Sequence, residues 1–266
     1  MVETSLMDRT SSALSRILGN FVAPTIALAA FFALWEWLCI LFEVPVFVLP
    51  KPSDIATQIL KDRLLLWHHF QFTLKNVMFG FLCAFVVAMI LGFLVSHVRL
   101  INRAIYPLLV ASQTIPVIAI APVFIIWFGY GILPKVITTA LICFFPLTVN
   151  TITGFSSVDP EIKTLFRAYN AGWIQTFTKL TLPGALPFIM SGLKISATLS
   201  VIGGVIGEWI GSDMGLGYLI IQSGAQIQTA RLFGAITVLA FMGIFLFLAA
   251  SLVERLATPW RAARIG

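Results

Sequence analysis

Glu208 is an acid in an otherwise apolar run, Val205-Ile206-Gly207-Glu208-Trp209. Stripping a carboxylate of water costs on the order of several kcal/mol, so an acid in lipid needs a cation, hydrogen-bond donors or a wet cavity. Three arrangements meet that need: a cationic or hydrogen-bond-donating solute, a structural ion pair, or exposure at the membrane surface. Lys194 lies about two helical turns from the other end of the same stretch, and its four-carbon stem can snorkel to the head groups. Glu36, between Trp35 and Trp37, belongs with an interfacial aromatic belt.

Bond-making chemistry has weaker candidates. His68, His69 and His97 fall at the borders of apolar runs with no cluster of acids beside them, which reads as interfacial histidines and not as a metal or acid–base site. Cys39, Cys83 and Cys143 lie in apolar runs without CxxC spacing and read as small core residues. No GxxxxGK[ST] phosphate cradle occurs, since the only Lys-Thr pair, Lys163-Thr164, follows Ile162. The expectation is a chain without catalytic residues, without a metal and without a bound cofactor of its own.

The elements that position these residues are membrane helices. Of the 266 residues 59% are hydrophobic and 11% charged, and the mean hydropathy is +0.98, outside the range of a soluble domain. Runs of about 20 apolar residues predict six spans: Phe21 to Leu41, Phe72 to Val95, Ala104 to Phe128, Val136 to Ile152, Pro187 to Ile210 and Leu232 to Leu252. The first is expected to be retained, because it is longer than a secretory apolar core and lacks a small-residue cleavage site. The fold class is therefore all-α membrane protein. A 1–20 N-terminal segment and a 256–266 tail flank one 21–255 membrane domain.

Within the spans, Pro107, Pro116 and Pro122 each remove a backbone donor from the third, with Gln113 beside the break. Freed carbonyls in lipid are met either by neighbouring helices or by a water-lined path, so this is a kink or a pathway marker. Gly203, Gly207 and Gly211 recur every fourth residue on the fifth span and predict close helix packing, within the chain or across a dimer. Asn150, Phe144, Phe145 and Trp209 line a path for a flat ring or simply pack. Gln113, Pro116, Asn150, Glu208 and Trp209 are the candidates for a translocation path.

Lys and Arg set the orientation. With the N-terminus inside, the cytoplasmic side collects Arg9, Arg16, Arg99, Arg103, Lys163, Arg167, Lys179, Arg255, Arg261 and Arg264; the other side collects only Lys51, Lys61, Arg63, Lys75, Lys135 and Arg231. Both termini are thus expected in the cytoplasm. The formal charge of +6 is spread over helix ends facing anionic head groups, so the bilayer and not nucleic acid is the expected partner. Outside, Leu49-Pro50-Lys51-Pro52-Ser53-Asp54 precedes an amphipathic stretch, Ile55 to Leu66, with Ser53 a candidate N-cap.

The long inner connection carries Asp159-Pro160-Glu161, then Arg167-Ala168-Tyr169-Asn170-Ala171-Gly172-Trp173, and ends on Leu182-Pro183. Two short helices joined by a bend at Asn170 and Gly172 are predicted. Its aromatics suit either a partner surface or an interfacial helix. The segment resembles the cytoplasmic EAA loop of ABC importer permeases, in which a Gly stands thirteen residues before the Pro of a closing Leu-Pro; here that position is Asn170. The Glu-Ala-Ala triplet falls on Thr164, Leu165 and Phe166 and is absent, whereas Arg167, Ala171, Leu182 and Pro183 match. Asn is the non-Gly residue most tolerant of the left-handed conformation, so the bend can survive.

The resemblance runs from Leu49-Pro50-Lys51-Pro52 to Glu254-Arg255. It is greatest to the permeases for nitrate, sulfonates, taurine, thiamine pyrimidine precursors and riboflavin. Ser112-Gln113-Thr114-Ile115-Pro116, Ala119-Ile120-Ala121-Pro122, Trp127-Phe128-Gly129-Tyr130-Gly131 and Val205 to Trp209 look most like those for thiamine precursors or riboflavin. It implies a type I importer permease fold in a bacterial inner membrane, with a coupling loop over 159–186. It also implies a homodimer, separate ATPase subunits carrying ATP and Mg, and an external substrate-binding protein. Arg167, Ala168, Asn170, Ala171, Gly172, Trp173, Leu182 and Pro183 would form the coupling site. An ion-coupled secondary transporter is the competing class, but it would need more intramembrane ionisable residues than Glu208 and Lys194.

Overall fold

The computed structural model describes residues 2–262, with side chains described from Val22 to Trp260 except that of Arg99. Arg264 and the end of the expected 256–266 tail lie outside the described residues, as do the side chains of Arg9, Arg16, Arg99 and Arg261. The regular elements are all helical: α1 (Val2–Leu41), α2 (Pro52–Lys61), α3 (Arg63–His97), α4 (Arg99–Ser112), α5 (Val117–Phe128), α6 (Ile132–Ser156), α7 (Pro160–Ala168), α8 (Trp173–Thr176), a π-helical turn (Phe177–Thr181), α9 (Leu182–Gly211), α10 (Leu216–Ala225), α11 (Thr229–Ala257) and α12 (Pro259–Ala262). Among the described residues five helices are long and apolar enough to cross a membrane, and a bent pair makes a sixth span. The chain divides into two compact units, residues 1–62 with 223–234, and residues 63–222 with 235–266.

In the first unit, α2 forms where the outer connection was expected to hold a short helix, but Ser53 is not its N-cap. Lys51 holds that position without a side-chain cap. Ser53 instead donates its hydroxyl to Glu36 Oε1 (2.6 Å) and its backbone N–H to Glu36 Oε2 (3.1 Å). One open N–H of the first turn, that of Ser53, is met by a carboxylate from α1, which also suits the positive end of the helix. Glu36 is thus a tether between α1 and α2 and not a free interfacial acid. At the other end of α2, Asp62 accepts from Arg231 Nε (2.6 Å) and Gln58 Nε2 (2.6 Å). Burial pushes its carboxyl up, but those hydrogen bonds and the nearby Arg231 and Lys61 charges outweigh it, holding Asp62 below the ordinary carboxylate value.

The second unit is built on α3, α6 and α9, packed through small residues. Along α3, Gly80, Ala84, Ala88 and Gly92 are buried at every fourth position, and a Cβ on Gly80 or Gly92 would run into Thr139 or Thr151 of α6. Lipid supplies no hydrophobic drive between helices, so close backbone approach and interhelical hydrogen bonds carry the association. Cys143 Sγ and Ser196 Oγ bond reciprocally to each other's carbonyls across α6 and α9, at 3.3 and 3.0 Å. Thr138, Thr139, Thr148 and Thr151 return their hydroxyls to the preceding turn, so buried oxygens stay paired. Cys39 and Cys143 are buried as expected, but Cys83 is exposed on α3.

Gly203 and Gly207 pack within the chain. A Cβ on Gly203 would stand 2.7 Å from Thr139 Cα, and one on Gly207 would stand 2.9 Å from Lys135 Cα; Gly211 faces Ile125. Backbone cannot yield as a side-chain tip does, so Gly203→Leu should lower stability in thermal unfolding by about 1–3 kcal/mol. Gly172→Ala is the control and should leave the melting curve unchanged, because a Cβ there meets nothing within 4 Å.

The fourth and sixth spans run three to five residues past their predicted limits at each end, and the second, third and fifth differ more. The third is not one helix: Leu100–Ser112 and Val117–Phe128 meet at 101°. Pro116 donates nothing and biases Ile115 away from the helical region, while Gln113 and Thr114 close α4 with short bonds to Val110 and Ala111. The second span starts at Arg63, ahead of Phe72, and the fifth at Trp173, ahead of Pro187. Pro183 does not end a helix, because the π turn before it, in which Leu182 N–H bonds back to Phe177 O, widens the spiral and makes room for its ring.

Candidate functional site

The loop between α6 and α9 is set by its caps. Asp159 accepts from Glu161 N–H (2.8 Å) to start α7 behind Pro160. At its end Asn170 takes φ 62°, its N–H bonds to Arg167 O (2.9 Å), and Ala171 N–H bonds to Phe166 O (3.0 Å). That pair of bonds is the Schellman ending, which wants a left-handed residue at the position Asn170 fills in place of Gly. Gly172 then opens α8, donating its N–H to Gln175 Oε1.

The loop exposes large apolar surface at Leu165, Tyr169, Trp173 and Ile174, with Trp173 64% exposed though stacked on Phe177. Arg167, Ala168, Asn170 and Gly172 are exposed and Ala171 is partly so. Exposed apolar groups gathered at a helix turn mark an interaction surface. Leu182 and Pro183 stand apart from the tip: Leu182 packs on the core of Phe155, Ala185, Ile189 and Met190.

At the opposite end of α6 lies the acid. Glu208 is 1% exposed and accepts from Thr73 Oγ1 (3.1 Å), Asn76 Nδ2 (3.1 Å) and Gly217 N–H (2.8 Å). Thr73 also receives Leu216 N–H (2.8 Å), and His69 Nδ1 receives Gly215 N–H (3.0 Å). The start of α10 is therefore held by side chains from α3 and α9, with the carboxylate at its positive end. Gly215 has φ 111°, and any side chain there would collide with the Glu208 carboxylate. Glu208 does not face a path in this conformation; it is buried and partnered because three donors replace its lost water. His69 is likewise buried and bonded, not solvated.

Lys194, expected to snorkel towards the head groups, reaches Glu254 near the C-terminal end of α11 at 2.5 Å, because the acid lies within reach of its stem. Gln113, Pro116 and Trp209 come together along one largely apolar groove of 790 Å³ walled by α5, α6, α9 and α11. Asn150 is not in it: its Nδ2 returns to Pro146 O (2.8 Å) and its Cβ packs where Gly192 leaves room. Phe144 and Phe145 pack against buried core. Trp209 also lines a second cleft of 720 Å³ with Phe72, Tyr130, Lys135 and Asp213.

Thr73, Asn76, His69 and Lys135 join these sites without a sequence motif that marks them. The signal available was polar side chains at 69, 73 and 76, spaced by one helical turn, near the start of an apolar span. Lys135, just inside the fourth span, shows in the sequence pattern only as an outer charge.

Residues 77–262 match the family model described as binding-protein-dependent transport system inner membrane component. The formylaminopyrimidine transport permease protein ThiX of Halalkalibacterium halodurans is 38% identical over 239 residues, covering 90% of this chain and 95% of that protein. The riboflavin transport system permease protein RibX of Chloroflexus aurantiacus is 34% identical over 86% of each chain. Among solved structures, an inward-facing conformation of the MetNI methionine ABC transporter superposes with a TM-score of 0.65 at 18% identity, over 74% of this chain and 98% of that one. That likeness shows the shared fold.

Proposed function

Because the chain belongs to the binding-protein-dependent transport inner membrane components, in the branch of the formylaminopyrimidine, riboflavin, sulfonate and taurine permeases, we propose that it imports a thiamine pyrimidine precursor or riboflavin. It is the membrane-spanning subunit of an ABC importer, with the type I permease fold. Its partners are an ATPase and an external binding protein. The observation that carries the substrate reading is the 38% identity to ThiX along nearly the whole of both chains.

Two copies of this chain form the pathway, with both termini and the 159–186 loop in the cytoplasm and the chain in the inner membrane. The exposed tip of Arg167, Asn170, Ala171, Gly172 and Trp173 docks the ATPase. ATP with Mg closes the ATPase pair, the two loops are pushed together, the spans rearrange outward, and hydrolysis resets them. The rigid Schellman ending supports this role, since a loop that transmits a push must not fold away under it. Gln113, Pro116 and Trp209 line the path in this reading.

Specificity in such an importer lies largely in the binding protein. Thermal shift of that protein with formylaminopyrimidine, riboflavin and taurine tests the substrate. Stabilisation by either ring compound is expected. Stabilisation by taurine alone would move the assignment to the sulfonate group.

A further inference from the structure

Lys135 stands out as a buried charge with no charged partner in contact. It is 4% exposed, and among the described residues the ion pairs are Lys194–Glu254 and Arg231–Asp62, leaving Lys135 Nζ without a carboxylate inside 4.0 Å. Its Nζ rests 5.0 Å from the centre of the Phe72 ring, while Glu208 and Asp213 act on it only through space. A cation over an aromatic face recovers part of the lost hydration but satisfies none of the three N–H donors. Gly207 fixes the site by letting α9 press against the Lys135 backbone.

The ammonium belongs to the lining of the 720 Å³ cleft, together with Phe72, Tyr130, Trp209, Ser212 and Asp213. That volume is ordinary for a small-molecule site, and a few polar groups among aromatic walls are the ordinary chemistry of one. The cleft opens at the end of α6 away from the 159–186 loop.

We propose that Lys135 is the polar anchor for the transported solute, donating a hydrogen bond to a carbonyl or acid oxygen on a flat ring held among Phe72, Tyr130 and Trp209. This rests on the importer reading and deepens it by naming a binding site within the membrane subunit. A ring with an acceptor oxygen would supply what the ammonium lacks and would stack on surfaces an aliphatic solute cannot use.

The test is equilibrium binding to the purified full chain in nanodiscs, with formylaminopyrimidine, riboflavin and taurine as probes. A hydrogen bond to a charged group predicts that Lys135→Met weakens binding of a ring compound about tenfold or more, while Lys135→Arg, which keeps donors and charge, stays within about threefold. Trp209→Leu, at an exposed position, should weaken the same probe several-fold by removing a stacking wall. Melting curves of all three variants are read beside the binding. Preference for taurine, ring-compound binding unchanged in both Lys135→Met and Trp209→Leu, or no ring-compound binding at about 1 mM would overturn the proposal. A weakening that appears only where the melting curve has collapsed would also overturn it. The energy source does not enter this measurement, so transport found to need no ATP would refute the importer reading and leave the binding result standing.

Discussion

Replacing Glu208 by alanine is expected to cost about 3–5 kcal/mol of stability, the range for removing one member of a buried charged network. The change strands Asn76 Nδ2 and Gly217 N–H among buried groups, while the Thr73 hydroxyl keeps His69 O as an acceptor. It also takes a neighbouring negative charge from Lys135. Glu208→Gln keeps one acceptor oxygen and should cost less, about 1–3 kcal/mol. Thermal unfolding in detergent or nanodiscs orders the three chains. Equal melting of the alanine variant and the unaltered chain would mean that Glu208 does not hold α10 in place.

The second large effect concerns function and leaves the fold alone. Gly172→Glu puts an acid at a position with φ −65° and ψ 166°, a backbone any residue adopts, where a Cβ meets nothing within 4 Å. Its melting curve should match that of the unaltered chain. On the proposed docking role, a charge placed beside Trp173 in this exposed apolar patch should weaken ATPase association and ATP-driven uptake about a hundredfold, as loss of a central contact does. Retained co-purification with the ATPase would remove the loop tip from the docking surface.

What was legible in the sequence follows from which forces are local. Apolar length alone places the spans, because each needs about 20 residues whatever its neighbours are. The bend at Asn170 is legible too, since the left-handed preference belongs to the residue itself, and Asn170 takes it. Ser53, by contrast, has a cap-like spacing but bonds to Glu36, a competitor seventeen residues away that no local pattern reveals. Lys194 and Glu254 are sixty positions apart, and Thr73 and Glu208 are 135 apart. Such pairs exist only once α3, α9 and α11 have packed.

The prolines of the third span illustrate an intermediate case. All three remove a donor, yet only Pro116 breaks the span; Pro107 and Pro122 lie inside α4 and α5. Ser112 and Thr114 on either side of Gln113 return their hydroxyls to Leu109 and Ala111, so the chain end of α4 is already satisfied there. The position of a proline predicts a weak point, and the neighbouring hydroxyls decide whether it opens.

On the proposed function, this subunit moves solute only when an ATPase drives it through the exposed loop. Uptake into proteoliposomes holding the chain with its ATPase and binding protein tests it most directly, with ATP or an imposed ion gradient as the only energy source. Accumulation is expected with ATP and Mg, none with the gradient alone, and the ATP-driven uptake should be lost in Gly172→Glu. Sustained uptake by this chain alone under an ion gradient without ATP would contradict it.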